Sequence, residues 1–129
     1  MPKNVVSTDG APAAVASYSQ AAVAGGWVFC SGQIGLDPAT GVLVEGGAVP
    51  EAERVMSNLE AVLTAAGATF ADVVKCTIFL ADMADFQAVN EVYAQRFEGM
   101  EPPARACVAV RTLPKNVQVE IECIAYIGS

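Results

Sequence analysis

Two alternating runs near the C-terminal end constrain the fold more than any other feature. In residues 104–111, Ala104, Ala106, Val108 and Val110 share one side of an extended chain, and Arg105, Cys107, Ala109 and Arg111 share the other. Residues 117–123 repeat the pattern, with Val117, Val119, Ile121 and Cys123 apolar and Gln118, Glu120 and Glu122 polar. A period of two belongs to strands with one buried face. Leu113-Pro114-Lys115-Asn116 between them reads as a turn. It predicts an antiparallel hairpin that sets Arg105 beside Glu120 and Glu122, so that an arginine and a carboxylate share a mostly apolar sheet.

The remainder fills in a small α+β domain. Lys3 to Ser7 reads as an edge strand, and Asp9-Gly10-Ala11-Pro12 as a loop. Tyr18–Val23 and Trp27–Ser31 form a hairpin about Ala24-Gly25-Gly26, where glycine supplies positive φ. Ser31-Gly32-Gln33 leads into a long loop through Asp37-Pro38-Ala39-Thr40-Gly41, whose glycines let a ligand approach the backbone. Pro50 opens a helix, with Glu51 and Glu53 at the positive end of its dipole. Its apolar stripe is Ala52, Val55, Met56, Leu59, Val62, Leu63 and Ala66, and Gly67 stops it.

Val73–Leu80 is almost continuously apolar, which predicts a strand covered on both faces. Asp82 or Asp85 caps a second helix reaching Phe97, with Phe86, Val89, Tyr93 and Phe97 along one side and Gln87, Asn90, Glu91 and Gln95 polar. This order predicts one domain over residues 1–129: a mixed sheet with both helices on one face. The other face, carrying Val, Cys and Ala, then needs another subunit to cover it. An apolar fraction of 53% and a mean hydropathy of +0.42 agree with that surplus of apolar surface.

Charge and residue types exclude several chemistries. A formal charge of −7 and a pI near 4.3 argue against nucleic acid and acidic membrane surfaces as partners. Residues 10–36 carry no charge, yet Pro12, Gln20, Gly25, Gly26 and Gln33 interrupt them, so two buried strands are preferred to a membrane span. The amino terminus lacks the apolar core of a signal peptide. Cys30, Cys76, Cys107 and Cys123 form no C-x-x-C pair and read as reduced thiols of a cytoplasmic protein. With no histidine in the chain, Ser-His-Asp and Cys-His catalysis are excluded and the commonest transition-metal ligand is missing.

The candidate chemistry gathers on the two alternating runs. A guanidinium at Arg105 offers a planar fork for a small carboxylate, or else a structural ion pair with Glu120 or Glu122. Glu120 is the candidate general base; Glu122 on the same face is its structural alternative, and a solvated strand face is the plain reading for either. Cys107 shares the Arg105 face but has no base to activate it, so it reads as an inert thiol whose backbone N–H is free to bind. Ser31, without a base, is a hydrogen-bond donor or a strand end. Tyr18 and Asn90 either line a pocket or are ordinary surface residues, and Lys115 is expected in solvent.

Pro103-Ala104-Arg105-Ala106-Cys107 and Val119-Glu120-Ile121-Glu122 resemble the signature of the Rid family, the reactive imine and enamine deaminases also known as YjgF-type proteins. Ser31-Gly32-Gln33, Asn58-Leu59, Ala65-Ala66-Gly67, Val74-Lys75-Cys76-Thr77, Asp85-Phe86 and Val89-Asn90 extend the resemblance along the chain. It implies a chorismate-mutase-like α+β fold, assembled as a homotrimer with a central barrel and ligand clefts between subunits. It further implies hydrolysis of 2-enamino and 2-imino acids, such as 2-aminoacrylate, to 2-keto acids and ammonia without metal or organic cofactor. Arg105 would hold the substrate carboxylate and Glu120 would activate water, while Tyr18, Ser31, Asn90 and Cys107 shape the cleft. Where many relatives have Gly-Pro before the tyrosine, this chain has Ala16-Ser17. Two other roles accompany the resemblance: a regulator that binds keto acids without turnover, and a ribonuclease or translation inhibitor.

Overall fold

The computed structural model of the protein describes residues 3–128. In chain order it contains β1 (Asn4–Val6), β2 (Ala21–Ala24), β3 (Trp27–Gln33), α1 (Ala48–Ala65), β4 (Val73–Leu80), α2 (Phe86–Gln95), β5 (Ala104–Ala109) and β6 (Val119–Tyr126). The six strands form one mixed sheet in the order β1-β2-β3-β6-β4-β5. The edge strand at Lys3–Ser7 and the glycine hairpin follow the sequence closely, and Gly25 and Gly26 take positive φ in the β2–β3 turn. Among the described residues no helix is long and apolar enough to cross a membrane.

Both helices cover one face. Val55, Met56, Leu59, Val62 and Leu63 of α1 are fully buried against Val28, Ile78, Val119, Ile121 and Ala125 of the sheet. Each such side chain contributes roughly 1.5–3 kcal/mol on leaving water. α2 adds Val89, Val92 and Tyr93, and Phe97 beyond its end packs on Phe70 and Tyr93.

The expected β5–β6 hairpin does not form. β4 lies between them, parallel to β5 through Cys76↔Arg105 and antiparallel to β6 through Cys76↔Cys123. Residues 110–118 are too many for a tight hairpin loop. They pass around the end of β4, where the Val110 N–H bonds to the Leu80 carbonyl and the Ala81 N–H to that of Gln118. Alternation gave each strand its two faces but not its neighbour, and β4 took the position between them.

Three smaller expectations also change. β2 begins at Ala21, so Tyr18 sits in the preceding loop; the buried Gln20 side chain ties that loop to the carbonyls of Thr8, Ala11 and Pro12. Within the subunit β4 is covered on one face only: Cys76, Ile78 and Leu80 are buried, while Lys75, Thr77 and Phe79 are half-exposed. The uncovered face carries no buried cysteine, because Cys30, Cys123 and Cys76 are register partners in a row beneath the helices. That open face instead presents Phe29, Val108 and the tilted aromatic pair Trp27 and Tyr126, with ring centroids 4.6 Å apart.

Candidate active site

The expected site residues separate into two groups on opposite faces of the sheet. In β6 the fully buried Val119 and Ile121 point to the helices, which turns Glu120 and Glu122 to the open face. Opposite them β3 carries a bulge: Cys30 pairs with Cys123, but Gln33 pairs with Ile121, so β3 has one residue more. Gly32 lies in this bulge, and a Cβ there would stand 2.1 Å from Glu120 Oε2. Its φ is not in the left-handed region, so what a side chain here would meet is the Glu120 carboxylate rather than backbone strain.

Glu120, Glu122, Tyr18, Ser31, Gly32, Ile34 and Pro114 line one cavity of about 430 Å³. Partial burial, and then the negative charge of Glu122, push the Glu120 carboxyl above its ordinary pKa. Ser31 is committed: its Oγ donates to the Ser19 carbonyl at 2.6 Å, so it has no proton left to offer a ligand and serves to anchor the Tyr18 loop. A turn in which the Tyr18 N–H bonds to the Ala16 carbonyl brings the tyrosine to the cavity without Gly-Pro before it.

Two buried polar residues of α1 hold the surrounding loops. Asn58 Nδ2 donates to the carbonyls of Ile34 and Leu36, and Glu51 accepts the Gln118 N–H at 2.8 Å, just before β6. Sequence reading placed Glu51 at a helix dipole and Asn58 in a motif, and it missed both loop anchors. A polar residue inside an apolar helical stripe was the available signal.

Arg105 belongs to the second group. Its register partner Cys76 faces the helices, and so does Arg105, at the outer edge of the sheet. Nη1 donates to Asn90 Oδ1, and the guanidinium carbon lies 5.4 Å from the Phe86 ring and 5.2 Å from the Tyr93 ring. Cys107 lies on the same side; partial burial raises its thiol pKa and Arg105 only partly opposes this, which disfavours the nucleophilic thiolate. The expected proximity of Arg105 to Glu120 and Glu122 is therefore absent within one subunit, because alternation and the intervening β4 put them on opposite sides. Among the described residues the ion pair is Arg96–Glu60 instead, at 3.4 Å. Among the described residues no group of three His, Cys, Asp or Glu side chains is arranged to hold a metal.

A family model described as endoribonuclease L-PSP matches residues 8–127. The chain belongs to the Rid (YjgF/RutC) family. The crystal structure of a Rid protein, YyfA from Yersinia pestis, matches this Rid chain with a TM-score of 0.95 at 43% identity, covering 97% of this chain and 99% of that one. Protein DfrA of Myxococcus xanthus is 54% identical over 127 residues, 97% of this chain and 96% of that protein. The 2-iminobutanoate/2-iminopropanoate deaminase of Capra hircus is 49% identical over 126 residues, 98% of this chain and 91% of that protein. The mixed sheet with two helices on one face is thus the Rid fold.

Proposed function

We propose that this Rid protein hydrolyses 2-imino acids, and the 2-enamino acids that tautomerise to them, giving 2-keto acids and ammonium. The deaminase name of a relative at 49% identity supports the reaction class. The observation that carries the reading at the level of residues is the pair of half-sites: a fixed, exposed guanidinium on one sheet face, and a carboxyl of raised pKa in a cavity on the other.

Arg105 holds the substrate carboxylate by paired hydrogen bonds, which places the imine carbon and leaves the reaction to one base. The Glu120 carboxylate takes a proton from water as its oxygen bonds to C2 of the protonated imine, giving the carbinolamine. Glu120 then returns that proton to the amine. The C–N bond breaks to release ammonia, the hydroxyl gives its proton to the Glu120 carboxylate as C=O forms, and passage of that proton to ammonia leaves the keto acid and ammonium. A glutamate whose proton is held more firmly than usual suits this alternation between base and acid. Tyr18 and the Ser31-Gly32 bulge shape the cavity, while Asn90 and Cys107 border the arginine.

Because one chain turns Arg105 and Glu120 to opposite faces, the reading requires clefts between copies, with Arg105 of one subunit completing the Glu120 cavity of another. The open face with Phe29, Trp27, Val108 and Tyr126 supports such an assembly, as a homotrimer with its sheets turned inward. The test is to generate imines with a serine or threonine dehydratase, or with an amino-acid oxidase, and follow keto-acid formation against semicarbazide trapping. Acceleration that falls at least about a hundredfold in Arg105→Ala establishes hydrolysis through the arginine. Absence of acceleration with every imine, alongside measurable keto-acid binding, would instead make the protein a ligand-binding regulator.

A further inference from the structure

Arg105 lies on an edge strand and is exposed, a setting in which an arginine normally samples many rotamers. Here it meets three side chains of α2 spaced i, i+4 and i+7: Phe86, Asn90 and Tyr93. Such spacing puts them along one helix face. Phe86 and Tyr93 stand about 10.5 Å apart along the axis. The guanidinium carbon lies over both rings, 5.4 Å from that of Phe86 and 5.2 Å from that of Tyr93, and Asn90 at the middle turn takes a hydrogen bond from Nη1. The two rings and the amide occupy part of the guanidinium and leave its other N–H groups unpaired among the described residues.

Tyr93 is itself held from behind. It is 5% exposed, packs on Phe97 at 4.9 Å, and its hydroxyl has no hydrogen-bond partner among the described residues. Loss of water and the neighbouring Cys76 thiol keep that hydroxyl protonated, so the ring presents a neutral π face to the cation. A phenylalanine at position 93 would present the same ring face to the cation.

We propose that Phe86, Asn90 and Tyr93 are positioning residues that fix the Arg105 guanidinium with its free N–H groups available to a carboxylate, and so set the affinity for the substrate without touching the reacting atoms. The inference rests on the reading in which Arg105 binds the substrate carboxylate. It also gives Asn90 a different task from lining the cleft: its carbonyl oxygen is spent on the arginine.

The experiment compares wild type with Phe86→Leu, Phe86→Tyr, Asn90→Ala and Tyr93→Phe. It measures kcat and KM for imine hydrolysis, pyruvate and 2-oxobutanoate binding by calorimetry, and Tm. Phe86→Leu should raise KM and the keto-acid Kd together by roughly three- to tenfold, with kcat held within about twofold. Phe86→Tyr should restore both, Asn90→Ala should weaken binding by a similar factor, and Tyr93→Phe should bind like wild type. Unchanged KM and Kd in Phe86→Leu beside a lowered Tm would overturn the inference, leaving the rings as core support. A fall in kcat with unchanged KM would overturn it equally. If wild type binds keto acids but hydrolyses no imine, the deaminase reading fails, and weaker binding in Phe86→Leu would still uphold the positioning of Arg105. No keto-acid binding by wild type would overturn both.

Discussion

The Arg105 side and the Glu120 side of the sheet are built by different means. Arg105 stands at an edge strand and is ordered by a helix, through two aromatic rings and one amide whose spacing is the helix's own period. Glu120 stands on a central strand and is accommodated by an absence: a bulge in β3 and a glycine without the Cβ that would occupy the carboxylate's place. Added contacts hold the cation, while removed atoms and partial desolvation tune the acid. The two are independent within one chain, so a subunit can lose either without disturbing the other.

That independence is open to direct attack. Arg105→Ala and Glu120→Gln chains, each strongly impaired alone, should regain activity when unfolded together and refolded as mixed oligomers. In a head-to-tail ring of randomly mixed subunits, about a quarter of the clefts receive both native residues. Keto-acid formation by the mixture is the readout. No recovery in material that mass spectrometry shows to be mixed would mean that the two residues do not meet across subunits.

Glu120→Gln on its own should lower kcat by roughly 10²–10⁴, the usual share of a general base, while keto-acid binding changes by no more than a fewfold. A parallel loss of binding would move Glu120 to the recognition side and erase the contrast. Gly32→Ala tests the vacant space. The substituted methyl group would displace the Glu120 carboxylate without backbone strain, so kcat should fall roughly tenfold with little change in KM or Tm. Wild-type kcat in this variant would show that the carboxylate has room elsewhere.

The smallest effect lies in the pH profile. In the proposed reaction Glu120 can act as a base only above its own pKa, which burial and Glu122 hold above the ordinary glutamate value of about 4.3. The acid limb of kcat/KM should therefore fall above that ordinary value. Glu122→Gln removes a negative charge that disfavours the Glu120 carboxylate, so the limb should move to lower pH, short of a full return because burial persists. A limb that stays in place would assign the raised pKa to burial alone.

Much of this was legible in the chain. The stripe from Ala52 to Leu63 shows a helix against a core, because one buried face imposes a 3.6-residue period, and the run Val119 to Cys123 shows a strand for the matching reason. The exclusion of histidine chemistry needed only the composition. Arg105 and Glu120 stood out as the residue types suited to hold a carboxylate and move a proton.

What tertiary structure alone decided is which strands are neighbours and which side chains meet. Alternation is local, set by the geometry of two consecutive peptides, so it assigns Arg105 and Glu120 to faces but leaves the strand between them unspecified. The order β6-β4-β5, with β4 between the two alternating strands, is a choice made by residues far apart in the chain. The same holds for Gly32, whose role depends on a carboxylate 88 positions away, and for Glu51, which meets Gln118 across 67. The sequence determined the parts and their faces because those depend on neighbours in the chain; only packing brought distant residues together, because that energy belongs to the assembled core.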